Sequence, residues 1–189
     1  CPYCSGHRPS VTNRLDTQFP EIATEWHPTE NGDLTPADVV AGSAKRVWWK
    51  CEVANDHEWQ TSVSNRTRFG HGCPCCSGLQ ASVTNNLETL FPDVAAQWHP
   101  TKNGDPTPAD VVSGSGKKFW WKCEVANDHE WSTTAEARTR LGQGCPYCSG
   151  RKASAAANLE TWCADKGDLG KEILRLWHPT SNGALRPSD

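Results

Sequence analysis

Two hydrophobic periods alternate along this chain. From Phe19, apolar side chains return at Ile22, Ala23 and Trp26, the i, i+3, i+4, i+7 spacing that lays one apolar stripe on a helix, and Pro20 suits its first turn. His27-Pro28 ends that helix, because a residue before proline is pushed out of the helical region. "TENGDLTPADVVAGS" then reads as loop from its Asn-Gly, Pro and Ser content, with one turn of helix expected at "PADVV". The run "KRVWWKCEV" predicts a strand, "AND" its turn and "HEWQTSV" the returning strand. Trp48 and Trp49 must face opposite sides of the first strand, so one of them belongs to the core. "NRTRFGHG" begins as a helix and breaks at its glycines, leading into a Cys-Pro-x-Cys turn.

The whole succession then repeats. Residues 13–76 lie over 85–148 without a gap, and about two thirds of the aligned positions are identical, which marks an internal duplication. Cys1, Cys73 and Cys145 correspond, as do Trp26 and Trp98, Thr35 and Thr107, and Cys51 and Cys123. In a third copy "LWHPTSNG" arrives late, because "CADKGDLGKEILRLW" replaces the shorter "FPDVAAQW". The chain divides accordingly: 1–12 the tail of an upstream unit, 13–76 a first whole unit, 77–84 a linker, 85–148 a second whole unit, and 149–189 a linker with the front half of a truncated third. A truncated unit lacks half a zinc site, so the C-terminal piece is expected to pack on the second unit or to be supported by a neighbour.

Composition explains why so short a unit needs help. Only 36% of residues are hydrophobic and Met is absent, yet there are ten Trp and ten Cys. Small units of this kind rely on large aromatics together with crosslinks or metal. The cysteine count fits either disulfides or zinc, and the spacing decides. C-x5-H-x15-C-x2-C occurs twice in register, as Cys51, His57, Cys73, Cys76 and as Cys123, His129, Cys145, Cys148. Zn2+ takes four such ligands in a tetrahedron, and four protein ligands leave no open position, so two structural sites are expected, one per whole unit. A disulfide framework gives no reason for the histidines to recur, a redox Cys-x-x-Cys would need a βαβ pattern that is absent, and His favours zinc over iron.

Cys1 and Cys4 read as a half-site whose partners lie upstream, unless His7 completes a cluster. Cys75 stands where its repeat mates carry Tyr3 and Tyr147, and Cys163 lies in the insertion, so both read as bystanders. His27, His99 and His178 are expected to cap carbonyls at a helix end rather than to ligate. Zinc points to an intracellular protein. No segment approaches the roughly 18 consecutive apolar residues of a membrane span.

"NxL", "FPxxAxxWHPTxNGD", "TPxDVxxGSxKxxWWKC", "HEW", "RTRxGxGCPxC": on these motifs, which span both whole units and their truncated neighbours, the chain resembles a zinc-ribbon or treble-clef repeat domain found in tandem in bacterial and phage proteins. The resemblance implies small zinc-bound α+β repeats, each a short helix plus a β-hairpin and a Cys-Pro-x-Cys knuckle. It also implies a DNA-directed role, since such domains sometimes stand beside nuclease-like domains. One departure is visible, because the family writes a shorter Cys-to-His turn with Gly before His, whereas "CEVANDH" is longer and carries Asp56.

A net charge of -3 excludes a generally polycationic surface, so any nucleic-acid contact must be local. The candidates are Lys45, Arg46, Arg66 and Arg68 in the first unit, Lys117, Lys118, Arg138 and Arg140 in the second, and Arg151 and Lys152 after the second knuckle. Glu52, Asp56 and Glu58 crowd the hairpin, and only the Arg-Thr-Arg pairs stand clear of them. The expectation is a nucleic-acid-binding array, for double-stranded DNA before RNA, with a protein-interaction or spacer array as the alternative. No enzyme is expected, because neither an open metal site nor a nucleophile paired with a base is present, and catalysis would belong to a domain outside this chain.

Overall fold

The stripe that starts at Phe19 is cut into two pieces. In the computed structural model, which describes residues 1–3, 5–155, 158–178 and 180–188, α1 covers Leu15–Gln18 and α2 covers Pro20–Thr24, with Phe19 between them. Pro20 takes the first turn of α2, where no intrahelical amide hydrogen is missed. The piece α1 was not foreseen; a single turn carries too little periodicity to announce itself. Contacts divide the chain into two units, Cys1–Leu90 and Phe91–Asp189.

In the first unit, "PADVV" makes a single 3-10 turn at Pro36–Asp38, closed by Asp38, which accepts from Thr35 N at 3.0 Å. Those bonds to Thr35, side chain first and then backbone, hold the Asp38 carboxyl below its ordinary value. Strands β1 (Arg46–Lys50) and β2 (Glu58–Ser62) pair antiparallel with Trp49 opposite Trp59. The outer edge of β1 is not bare, because Asn31 brackets Trp48, accepting from its N–H at 2.8 Å and donating to its carbonyl at 2.9 Å. The loop thus supplies part of a third strand. Helix α3 (Val63–Phe69) is capped by Ser62 Oγ, which accepts from Asn65 N, and stops at Gly70, whose φ of 65° suits a residue without Cβ.

The core is built on Trp49, which has no exposed surface, packed with Leu15, Val39, Val47, Trp59 and Val63. Trp26 meets it edge-on at 5.6 Å, and its own N–H donates to Leu34 O at 3.0 Å. Trp48 takes the other face, as the strand alternation requires. The second unit repeats the plan with α5 (Pro92–Ala95), a 3-10 turn at Pro108–Asp110, β3 (Lys118–Lys122), β4 (Glu130–Thr134) and α6 (Ala135–Thr139), while α4 (Leu87–Leu90) closes the first unit. Trp121 is fully buried against Trp98 at 5.4 Å, and Trp120 is 38% exposed.

Residues 77–84 are no slack linker. Asn85 Nδ2 donates to Cys75 O at 2.7 Å and to Gln80 O at 2.9 Å, and Val83 N donates to Asp56 at 2.8 Å, so the segment stays with the first unit. The C-terminal piece forms α7 (Leu159–Ala164) and α8 (Gly167–Arg175) within the second unit, with Ala155 N donating to Asp128 at 2.6 Å. A Cβ at Gly170 would sit 1.8 Å from the Cys163 carbonyl oxygen, so only glycine permits this approach of α8 to α7. Cys163 is a packing residue there, fully buried.

The Arg-Thr-Arg expectation needs correction at its first arginine. Arg66 and Arg138 are each 6% exposed. Arg66 lies over the rings of Trp49 at 5.1 Å and Trp59 at 5.2 Å, with Nη1 donating to His71 O and Nη2 to Glu25. Arg138 does the same over Trp121 and Trp131, each at 5.2 Å, donating to Gln143 O and to Gln97 Oε1. With both Nη groups engaged, Nε buried and the plane between indoles, neither guanidinium is open to a phosphate. Both tie α3 or α6 to the hairpin. Truncation leaves a void under two tryptophans and frees a buried carbonyl. Arg66→Ala is therefore expected to lower the stability of the zinc-loaded protein by about 3 kcal/mol, read from urea unfolding followed by tryptophan fluorescence. An unchanged midpoint would show that the stack holds nothing.

Candidate metal centre

Each ligand is delivered by a local structure that the sequence dictates. Cys51 and His57 sit at the mouth of the hairpin, where Cys51 N donates to His57 O at 2.9 Å and His57 N to Ala54 O at 3.2 Å. The long "CEVAND" turn is held from outside by Asp56, the residue that departs from the family pattern, through its bond to Val83 N. In the knuckle, Ser77 N returns to Cys73 O at 3.1 Å, a tight turn that swings Cys76 back beside Cys73. The second unit builds the same pair of turns, with Cys123 N on His129 O at 3.0 Å and Ser149 N on Cys145 O at 3.2 Å.

The ligand atoms of Cys51, His57, Cys73 and Cys76 all lie within 4.8 Å of one another, as do those of Cys123, His129, Cys145 and Cys148. A tetrahedral ion bonded at about 2.3 Å to sulfur and about 2.0 Å to nitrogen implies S···S edges near 3.8 Å and S···N edges near 3.6 Å. The first site has Cys51 and Cys76 sulfurs 3.7 Å apart, with His57 Nδ1 3.6 Å from Cys73 and 3.4 Å from Cys76. The second has Cys123 and Cys148 at 3.6 Å, with His129 Nδ1 at 3.7 Å and 3.5 Å from Cys145 and Cys148. Each of these distances fits the ion. None fits a disulfide, whose sulfurs stand about 2.05 Å apart, and all described cysteines are free.

The electrostatics ask for a cation. Burial first, then hydrogen bonds and repulsion from Cys51 and Cys73, pushes Cys76 up to about 12, and the same causes from Cys123 and Cys145 push Cys148 up to about 11. A coordinated Zn2+ inverts that balance, because thiolates crowding one another become ligands of a +2 charge. Three thiolates, a neutral imidazole and Zn2+ still leave each cluster net negative. Arg138 answers that charge in the second unit: burial pulls it below its ordinary value, and Cys145 and Cys123 act in the opposite sense.

The remaining sequence expectations fall out as follows. Cys4 lies outside the described residues, so the Cys1/Cys4 half-site is left with Cys1, an exposed free thiol, and His7, whose Nδ1 is 2.8 Å from Ser5 Oγ. Cys75 is buried and is pushed up to about 11 by burial, then by Cys73; it packs in the core and is not among the four converging ligands. The histidines of the three "WHP" runs stand outside both four-ligand groups, and among the described residues none donates to a helix carbonyl. His27 Nδ1 accepts from Thr29 N at 3.3 Å and Glu30 N at 3.1 Å, and His99 and His178 repeat that acceptor turn. The opposite nitrogen of His27 stands 3.3 Å from Glu58, off the line of a good hydrogen bond, and that of His99 stands 3.1 Å from Glu130. Glu130 is held down to about 2 by Lys102, then by His99.

Sequence reasoning missed the residues behind the ligands. Ser82 Oγ and Thr84 Oγ1 lie 3.1 and 2.9 Å from His57 Nε2, and Tyr147 stacks on His129 at 4.9 Å. The repeat of Ser10, Ser82 and Ser154 was the available signal for the first, and the Tyr-for-Cys exchange at Tyr147 and Cys75 for the last. The purified chain should carry two Zn2+, and Cys73→Ala should carry one while losing the native fluorescence of the first unit only, measured by elemental analysis and emission spectra. Retention of both ions by that variant would remove Cys73 from the site.

No helix among the described residues is long and apolar enough to cross a membrane. No curated protein matches the chain closely enough to add a named relative. The model of the family described as "Probable Treble clef zinc finger domain" matches residues 22–79 and again 94–151, together more than half of the chain. Each match holds one complete Cys3His tetrad and one hairpin. The chain therefore belongs to that treble clef zinc finger family, as a tandem of two zinc-binding modules.

Proposed function

We propose that the array binds nucleic acid, double-stranded DNA in particular, through the cations left free at the base of its hairpins. The observation that carries this reading is their convergence. Lys45 and Arg46 are exposed where β1 begins, and Lys45 O accepts from Val63 N at the start of α3. Arg68, exposed on α3, lies across Gly42, with Nη2 2.9 Å from where a Cβ there would stand. Arg46 Nη2 donates to Gln60 O at 2.9 Å, which fixes that guanidinium at the sheet edge. Among the described residues none of the three forms an ion pair.

The second unit keeps exposed Lys117 and Lys118 but pairs Arg140 with Glu136 at 2.9 Å. It adds Arg151 and Lys152 beside the knuckle, Lys152 standing 5.9 Å over the Tyr147 ring. Two such patches on one chain make weak contacts collective. Arg supplies planar recognition of phosphate and Lys a point charge, both compatible with a duplex backbone. RNA presents the same phosphates and is the competing nucleic acid. Any reaction is assigned to a neighbouring domain, such as a nuclease-like one.

A second reading, docking of a protein partner, is favoured by one feature: a cleft of about 660 Å³ beside β2, lined by Trp48, Trp59, Pro74 and Leu79. Duplex titration separates the two. The zinc-loaded chain should lose affinity steeply between roughly 50 and 200 mM salt, and Lys45→Ala/Arg46→Ala/Arg68→Ala should weaken it across sequences and flatten the salt slope. Binding that ignores salt, or equal binding by the triple variant, would return the array to the protein-docking reading.

A further inference from the structure

The two metal centres share a ligand set and differ in what stands behind the histidine. His57 turns Nδ1 toward the sulfurs of Cys73 and Cys76, so Nε2 carries the ring proton when the site holds metal. That nitrogen lies 2.9 Å from Thr84 Oγ1 and 3.1 Å from Ser82 Oγ, and the two oxygens are 2.8 Å apart. The hydroxyls are themselves held: Ser82 Oγ accepts from Thr84 N at 3.2 Å, Ser82 N donates to Asn85 at 2.9 Å, and Val83 N donates to Asp56.

His129 presents the same face to Cys145 and Cys148, yet among the described residues its buried Nε2 has no hydrogen-bond partner, and neither has Ser154 Oγ, the repeat mate of Ser82. The sequence gives part of the reason, since Ala156 stands where the first copy has Thr84 and brings no hydroxyl. In exchange, the His129 ring stacks on Tyr147 with the planes 12° apart. A stack holds the ring plane but offers no acceptor to the edge nitrogen, so it cannot select which nitrogen carries the proton.

We propose that the two zinc sites are unequal by construction: Ser82 and Thr84 are positioning residues that hold His57 to its ion, and the second unit, lacking that pair, releases its zinc first. An acceptor on the distal N–H raises the basicity of a ligating imidazole and fixes its tautomer, and loss of such a partner typically weakens metal binding by about 10- to 100-fold. Under limiting zinc the chain then keeps its first unit loaded while the second stands empty.

The test uses the full zinc-loaded chain and an excess of a colorimetric chelator. Zinc leaves in two phases of equal amplitude, and a Cys123→Ser/Cys148→Ser chain, retaining only the first site, shows the slow phase alone. Ser82→Ala/Thr84→Ala speeds that slow phase by about 10- to 100-fold and abolishes the protected Nε2 proton resonance of His57, whereas Thr84→Ser keeps both. A single phase in the unmodified chain overturns the proposal, as does a slow phase that belongs to the second site. So does a slow phase that the double variant leaves unmoved although the resonance is lost.

Discussion

Three thiols and an imidazole aimed at one point are a repulsive arrangement until a cation joins them, and everything else in each unit is arranged around that point. Burial first, then hydrogen bonds and repulsion from Cys51 and Cys73, pushes Cys76 up to about 12, so that thiol holds its proton until a metal displaces it. With Zn2+ present the same four atoms become the strongest crosslink in the unit, joining the hairpin mouth to a knuckle sixteen or more residues further along the chain. The core of one central tryptophan and a handful of aliphatic residues is small, and units of that size usually need such a staple.

The arginine under the tryptophans shows how charge is shared out. Arg66 and Arg138 lie in the same place, yet Arg66 reaches a carboxylate on Glu25 and Arg138 only the amide oxygen of Gln97. In the second unit burial pulls Arg138 below its ordinary value, and Cys145 and Cys123 act in the opposite sense. Similar trades recur across the duplication. Tyr147 fills the place of Cys75 and donates to Glu130 O at 3.0 Å, and Lys102, where the first copy has Glu30, covers Trp120 at 4.6 Å and pairs with Glu130. Copies that read almost alike therefore differ where side chains meet, at their outer faces and behind their ligands.

Much of this was legible before any coordinates. The doubled Cys/His spacing named all eight ligands, because zinc tolerates few donor types and fewer geometries. Strand alternation placed one tryptophan of each Trp-Trp pair in the core, and the structure shows that Trp49 and Trp121 are the ones. The third-strand role of Asn31 was not legible, since it depends on a loop folding back seventeen positions to meet Trp48. Nor was the anchoring of residues 77–84, which rests on Asp56 and Asn85 finding partners beyond their own turns.

The sequence by itself determined the duplication, the hairpins, the zinc tetrads and the family, since each is a matter of local spacing between residue types. Only the tertiary structure decided which arginines are structural and which are free, because a guanidinium reads the same in sequence whether it faces water or lies between two indoles. It likewise decided that one ligating histidine has hydroxyl partners behind it and that the other has none among the described residues. Hydrogen bonds of that kind form between segments that chain order does not bring together, so no pattern along the chain announces them.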